Sequence, residues 1–227
     1  MSAAGVRARV RAEMTEEIKT VARRHLATDG ANLSLRAVAR DVGMASSAVY
    51  RYFASRDDLL TALIIEAYDA VGDTAEAAAD QPAGGDADRF LALAHAVREW
   101  ALADPHQWAL IYGSPVPGYQ APQDTIGPAT RVIFKIAAIV EAAYRAGQIA
   151  PGPEPTGRYA EELAAVAAQF GPDVPPRLIG AALSAYFQLI GAISAELFGQ
   201  LNNSVDEDRR GFFEFQMRGA AAFIGLP

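Results

Sequence analysis

Apolar residues recur along this 227-residue chain at three- and four-residue intervals, and no window alternates residue by residue as a half-buried strand would. Val10, Met14, Ile18, Val21 and Leu26 mark a first amphipathic helix, stopped by Asp29-Gly30, where glycine suits the left-handed position after a helix. Leu35, Val38, Ala39 and Val42 repeat at i, i+3, i+4 and i+7 over a short helix ended by Gly43, and a second short helix runs from about Ala45 to Phe53. Ser55-Arg56-Asp57-Asp58 reads as a capping box opening a long helix with Leu59, Leu60, Leu63, Ile64 and Val71 inward. The turn-rich stretch 80–86 (DQPAGGD) is the clearest break. Periodicity resumes from Asp88 to Leu102, and Asp104-Pro105-His106-Gln107 supplies an N-cap, an N1 proline and a capping-box glutamine ahead of Trp108 to Tyr112. Residues 113–123 and 151–157 read as loops. A helix over 125–145 tolerates Pro128 in its first turn and closes at Gly147; further helices cover 158–170, the stretch from Pro172, Pro175 and Pro176 to about Gln200, and 206–224. The pattern predicts an all-α fold of about nine helices.

The segment Leu178–Ala195 carries no charge for eighteen residues, which touches the lower limit for a membrane span. Its small residues (Gly180, Ala181, Ser184, Ala185, Gly191, Ala192 and Ala195) allow helices to approach closely, and Ser184 and Gln188 suit a packed protein seam. It reads as a buried helix at a subunit interface, with no membrane involved.

Two short helices joined by a glycine-containing turn can place the second helix in a DNA major groove. Ala39 is small where such helices cross, Gly43 supplies the turn, and Val38, Val42, Met44 and Val49 seal the unit. Ser46, Ser47, Tyr50 and Arg51 are left together on the outward face. Net charge is −7, which alone argues against nucleic acid, but it is unevenly spread. Residues 1–60 hold ten Lys and Arg against seven acids, while residues 61–227 hold ten against twenty. A basic head on an acidic body fits a DNA-reading module joined to something else. The absence of cysteine excludes disulfides and thiolate zinc sites, and Met1 to Gly5 lacks the apolar core of a signal peptide. A cytoplasmic location follows as the expectation.

The run LSLRAVARDVGMASSAVYRYFASRDDLL, Leu33 to Leu60, resembles the DNA-binding domain of the tetracycline-repressor family. In that family the helix-turn-helix ends in a Tyr-x-(His/Tyr)-Phe element, followed by a linker, a basic residue, acids and a leucine pair. Here these are Tyr50, Tyr52, Phe53, Arg56, Asp57, Asp58, Leu59 and Leu60. The resemblance implies that Ser34 holds a phosphate at the start of its helix, and that Tyr50 and Arg56 contact the backbone. It also implies that Ser46, Ser47 and Arg51 face bases or phosphates, with Arg36 a further base reader and Tyr52 half core, half phosphate contact. The sequence departs from the family at Ala45 and Ser46, where Ser or Thr usually caps the recognition helix, which suggests that Ser46 caps instead. Arg56 replaces the usual lysine, keeping the charge with different geometry. The Trp100…Asp104-Pro105-His106…Tyr112-Gly113 stretch is similar to one C-terminal class of such regulators. Arg7, Arg9 and Arg11 could form a DNA-reaching arm, but a frayed, solvated terminus is the simpler expectation.

The family likeness divides the chain into a DNA-binding domain over 8–55 and an effector-binding and dimerisation domain over 56–227, with the helix at 55–79 connecting them. Val132, Ile133, Phe134, Ile136, Ile139, Val140 and Tyr144 surround most of their helix, so it must be buried on several sides. Trp100, Trp108, Tyr112, Phe134, Tyr144 and Phe187 are candidate walls of an apolar effector pocket, although aromatic residues equally dominate ordinary cores. The resemblance implies a homodimer through helices at about 176–200 and 206–224, with Phe212, Phe213, Phe215, Met217 and Phe223 on the second. It further implies a repressor released from a near-palindromic operator by a small hydrophobic molecule. No catalytic motif or cofactor site stands out, and His25, His95 and His106 are scattered. The competing reading is a helical small-molecule-binding or catalytic protein whose helix-turn-helix is only structural.

Overall fold

The computed structural model describes residues 3–29, 33–81, 84–170 and 174–227. Gly30, Pro82 and Pro172, expected to break or precede helices, lie outside the described residues. Among the described residues are ten α-helices and no strand, where about nine helices were expected. They are α1 (Ala3–Asp29), α2 (Leu35–Asp41), α3 (Ser46–Val49), α4 (Arg56–Ala79), α5 (Asp86–Ala103), α6 (Pro105–Tyr112), α7 (Ile126–Arg145), α8 (Arg158–Phe170), α9 (Pro176–Leu197) and α10 (Arg209–Ile224). A short 3-10 turn, Gln123–Thr125, precedes α7.

The chain folds into two compact units. The first contains the described residues up to Tyr68 together with Asp104–Ile126; the second contains Asp69–Ala103 and the chain from Gly127 onward. In the first unit, Ile18, Val21 and Leu26 of α1 meet Leu35, Val38 and Ala39 of α2, Val49, Phe53 and the α4 leucines Leu59, Leu60 and Leu63 in one buried core. Leu110, Val116 and Tyr119 pack against that core. The Tyr119 and Thr61 hydroxyls lie 2.9 Å apart, and the Tyr68 hydroxyl donates to the Ile111 carbonyl at 3.1 Å. Residues 104–126 thus pack in the same compact unit as the helix-turn-helix, a segment that the family likeness assigns to the domain over 56–227. Their apolar side chains Leu110, Val116 and Tyr119 cover part of the core built by α1 to α4.

The helix caps follow local chemistry. Ser34 caps α2, Ser55 accepts from the Asp58 amide at 3.0 Å at the head of α4, and Asp208 accepts from the Gly211 amide at 2.8 Å at the head of α10. Asp104 accepts from the Gln107 amide at 3.3 Å, but the Gln107 side chain meets the Asp104 carboxylate rather than its backbone, so this is not a reciprocal capping box.

In the second unit α9 packs against α5, α8 and α10, and Phe90, Leu93, Ile136, Ile139, Leu178, Leu189 and Phe213 are among its fully buried side chains. By length and composition alone α9 could cross a membrane. Here, however, it closes on a buried ion pair: Arg98 of α5 grips Glu196 through Nε at 2.7 Å and a terminal nitrogen at 2.6 Å. The guanidinium lies 5.5 Å from the centre of the Phe213 ring. Along the outer part of this unit, Arg131 of α7 pairs with Asp69, Asp73 and Glu76 of α4, and Lys135 with Asp80. These bonds hold the Glu76 carboxyl below its usual range and push the Arg131 guanidinium above its own. Gly72 is small where Arg131 crosses α4, since an added Cβ would lie 2.8 Å from Nε.

Candidate DNA interface and ligand cleft

The helix-turn-helix is built from backbone requirements that the sequence meets one by one. Ser34 is extended (φ −118°, ψ 114°) and its hydroxyl accepts from the Ala37 amide at 3.4 Å, starting α2. The helix ends with the Gly43 amide donating to the Arg40 carbonyl at 3.0 Å and the Met44 amide to the Ala39 carbonyl at 2.8 Å. This double closure needs a left-handed residue, and Gly43 has φ +77°. Nothing lies within 4 Å of where its Cβ would be, so conformation and not space selects glycine there.

Ala45 then occupies the N-cap of α3 with no side-chain cap, and Ser46 is already the first helical residue. The expectation that Ser46 caps is therefore corrected: a capping oxygen must come from the extended residue before the helix, and that residue is alanine. The Ser46 hydroxyl is left to the outside. Regular α-helix lasts only through Val49, which is fully buried; the Arg51 and Tyr52 amides then donate three residues back, to Ala48 at 3.2 Å and Val49 at 2.9 Å. The recognition element is thus one α-turn followed by a tighter turn, shorter than the expected helix to Phe53.

Ser46, Ser47, Tyr50 and Arg51 are all exposed on this element, as are Ser34 and Arg36 on the preceding one. Tyr52 is half-buried against the core. Arg56 is partly buried, with Nε donating to the Leu33 carbonyl at 3.2 Å and a terminal nitrogen 3.4 Å from Asp57. It ties the entry of α2 to the start of α4. The arginine tail is not frayed: α1 begins at Ala3, and Arg11 donates to the Arg51 carbonyl at 2.7 Å with its guanidinium 5.2 Å from the Tyr52 ring centre. Reading the stripe Ile18, Met14, Arg11, Arg7 backwards along α1 was the signal available for this contact. His25 Nε2 meets Asp41 at 2.8 Å, joining α1 to the end of α2, and this bond holds the Asp41 carboxyl below its ordinary value. Among the described residues no cluster of metal-ligating side chains occurs.

The six candidate wall aromatics do not meet in one pocket. Trp108 is fully buried in the first unit, 4.4 Å from the Tyr112 ring, which in turn meets Tyr68 edge-on at 5.8 Å. Of these three only Trp108 is fully buried; Tyr68 and Tyr112 are half-buried. Trp100 and Tyr144 are half-buried in the second unit, and Phe187 is 65% exposed beside Tyr186. Phe134 alone of the six lines a described cavity, an open cleft of about 430 Å³. The remaining lining is largely aliphatic: Ile133 of α7, Val166 of α8, and Ile179 and Leu183 of α9, with Thr130, whose hydroxyl donates to the Gly127 carbonyl at 3.0 Å, at its edge. Sequence reasoning saw the apolar excess on α7 but missed its partners, because nothing local pairs an α7 residue with α8 or α9. Large apolar side chains also stand open just after α9 and on α10, with Phe198 49%, Phe215 72% and Phe223 49% exposed.

Comparison with known proteins joins these features. Residues 18–63 match the model of the bacterial regulatory proteins of the tetR family, and residues 90–220 match a tetracyclin repressor-like C-terminal domain. The HTH-type transcriptional regulator Rv1816 of Mycobacterium tuberculosis is 39% identical over 97% of this chain and 96% of its own. The solved structure of SCO4313, described as a candidate regulatory protein, superposes with a TM-score of 0.78 at 34% identity, over 94% of this chain and 98% of that one. RolR, solved with resorcinol as its ligand, has the same fold at 18% identity, a TM-score of 0.52 and 97% coverage of each chain.

Proposed function

Because the chain belongs to the tetracycline-repressor family of DNA-binding transcriptional regulators, we propose that it is a cytoplasmic homodimeric repressor released from its operator by a small apolar effector. The observation that carries the DNA side is the joint exposure of Ser46, Ser47, Tyr50 and Arg51 on an element anchored by the fully buried Val49. A rigid, buried base under an exposed hydroxyl pair, phenol and guanidinium suits hydrogen bonding to phosphates and to a guanine edge. Ser34 and Arg36 extend the same face. Arg56 holds the α2 entry through its bond to the Leu33 carbonyl, next to the same face.

The effector reading rests on the cleft between α7, α8 and α9, whose size and aliphatic lining suit a small apolar molecule. RolR, of the same fold, carries resorcinol. Dimerisation is supported by the open phenylalanines of α9 and α10, which a second copy would cover. Two-fold symmetry would then set two recognition elements about 34–36 Å apart on a near-palindromic site.

Fluorescence anisotropy against DNA from upstream of the protein's own gene, with scrambled DNA as control, tests the reading. Selective, salt-sensitive binding lost in Tyr50→Ala/Arg51→Ala is the expected result. Equal weak binding to every fragment of a genomic library would refute it. Leu183→Trp, which fills the cleft, should keep operator affinity and abolish release by any apolar compound that releases the wild type.

A further inference from the structure

α1 extends past the core that it helps to build, and its inward stripe changes character as it does so. Ile18 is fully buried and Met14 packs against the same core; one and two turns further out the stripe continues as Arg11 and Arg7. Residues 3–12 hold three arginines and no acid. A helix start ordinarily favours acids, because its free amides carry partial positive charge. Arginines there add like charge, which the helix end itself disfavours.

Two geometric facts separate these arginines. Arg9 points to another face and is paired with Glu13 at 3.4 Å. Arg11 is fastened to the Arg51 carbonyl and lies over Tyr52, so the stripe that it shares with Arg7 is held on the side of the recognition element. Arg7 is exposed, and no ion pair to it is found among the described residues.

We propose that the first turns of α1 are a second DNA-contacting element, in which Arg7 neutralises a backbone phosphate beyond those reached from the helix-turn-helix and Arg11 anchors the helix that presents it. This rests on the operator-binding reading above. The contact is to phosphate, so it adds affinity on every sequence and does not choose among bases.

The test uses the full chain on a random-sequence duplex, so that it does not depend on knowing the operator, with anisotropy titrations from 50 to 200 mM salt. Arg7→Gln should lower the slope of log affinity against log salt by about 0.9 for each protomer engaged, equivalent to roughly a three- to fourfold smaller loss of affinity across that range. Arg9→Gln should keep the wild-type slope, and circular dichroism should show unchanged helix in both. A wild-type slope for Arg7→Gln, or an equal loss for Arg9→Gln, overturns the proposal while leaving the helix-turn-helix reading intact. A wild-type protein with no salt-dependent binding to any duplex would sink that reading itself.

Discussion

Replacing Glu196 by glutamine should be among the more damaging single changes in the second unit, although it removes no atom from the packing. The side chains of Arg98 and Glu196 are 9% and 7% exposed, and the two bonds between them, 2.7 and 2.6 Å, satisfy the carboxylate at both oxygens. Glutamine offers one acceptor in place of two and leaves the guanidinium charge without a counter-charge. Breaking such a buried pair from one side costs about 3–5 kcal/mol, and the surviving hydrogen bond places this variant near the lower end, about 3 kcal/mol. In a chain of this size that lowers the melting temperature by roughly 6–12 °C. The double variant Arg98→Met/Glu196→Leu removes both charges and keeps the volume apolar, so it should recover most of the loss. Urea denaturation followed by circular dichroism, at one protein concentration because a dimer's stability depends on it, gives both numbers. A cost under about 1 kcal/mol for Glu196→Gln would show that water reaches the pair. A double variant as unstable as the single would show that the pair's own attraction, and not the stranded charge, carries the effect.

Gly43→Ala forces an L-residue into φ +77° with no steric contact, so it should cost about 1 kcal/mol and weaken DNA binding, while Gly43→Asn should cost less; thermal melts compare them. Burial, and then the Arg210 charge, hold the His95 imidazolium below its ordinary pKa of 6.5. The unfolded chain therefore protonates first, so stability is full above about pH 6.5 and falls below it until the folded-state value is passed; His95→Gln should flatten that fall in denaturation midpoints measured at pH 7.5 and 5.5. Phe215, 72% exposed, should become intolerant of charge in the proposed dimer: Phe215→Arg should sediment as a folded monomer, and an unchanged sedimentation coefficient would place the interface elsewhere.

The helix-turn-helix was legible because each of its requirements is local. A helical stripe, a serine before it, a glycine after it and a buried valine in the next turn can all be read within about twenty residues of chain. What was misread there depends on single-residue register: whether Ser46 stands before or inside α3 turns on the backbone of Ala45, which a pattern of residue types does not fix. The cleft was illegible for the opposite reason. Ile133, Val166 and Ile179 meet only through tertiary packing, and each taken singly looks like any other core aliphatic. Trp108 carries the same ambiguity, since a large apolar residue after a proline turn serves a core as readily as a pocket, and here it is fully buried against Tyr112.

Charge shows most plainly how far a global quantity can mislead. A net charge of −7 speaks against nucleic acid, yet a phosphate senses mainly charges within a Debye length, about 8–10 Å at physiological salt. Many of the body's acids are already partnered. Asp69, Asp73 and Glu76 face Arg131, Asp80 faces Lys135, and Glu196 faces Arg98. The head, by contrast, keeps Arg7, Arg36 and Arg51 exposed, while its own Glu66 is occupied by Lys19 and Arg23. The acids just named sit in ion pairs within their own unit, while Arg7, Arg36 and Arg51 of the head stay open to solvent. Distribution and pairing, not the sum, are what permit an acidic protein to hold DNA.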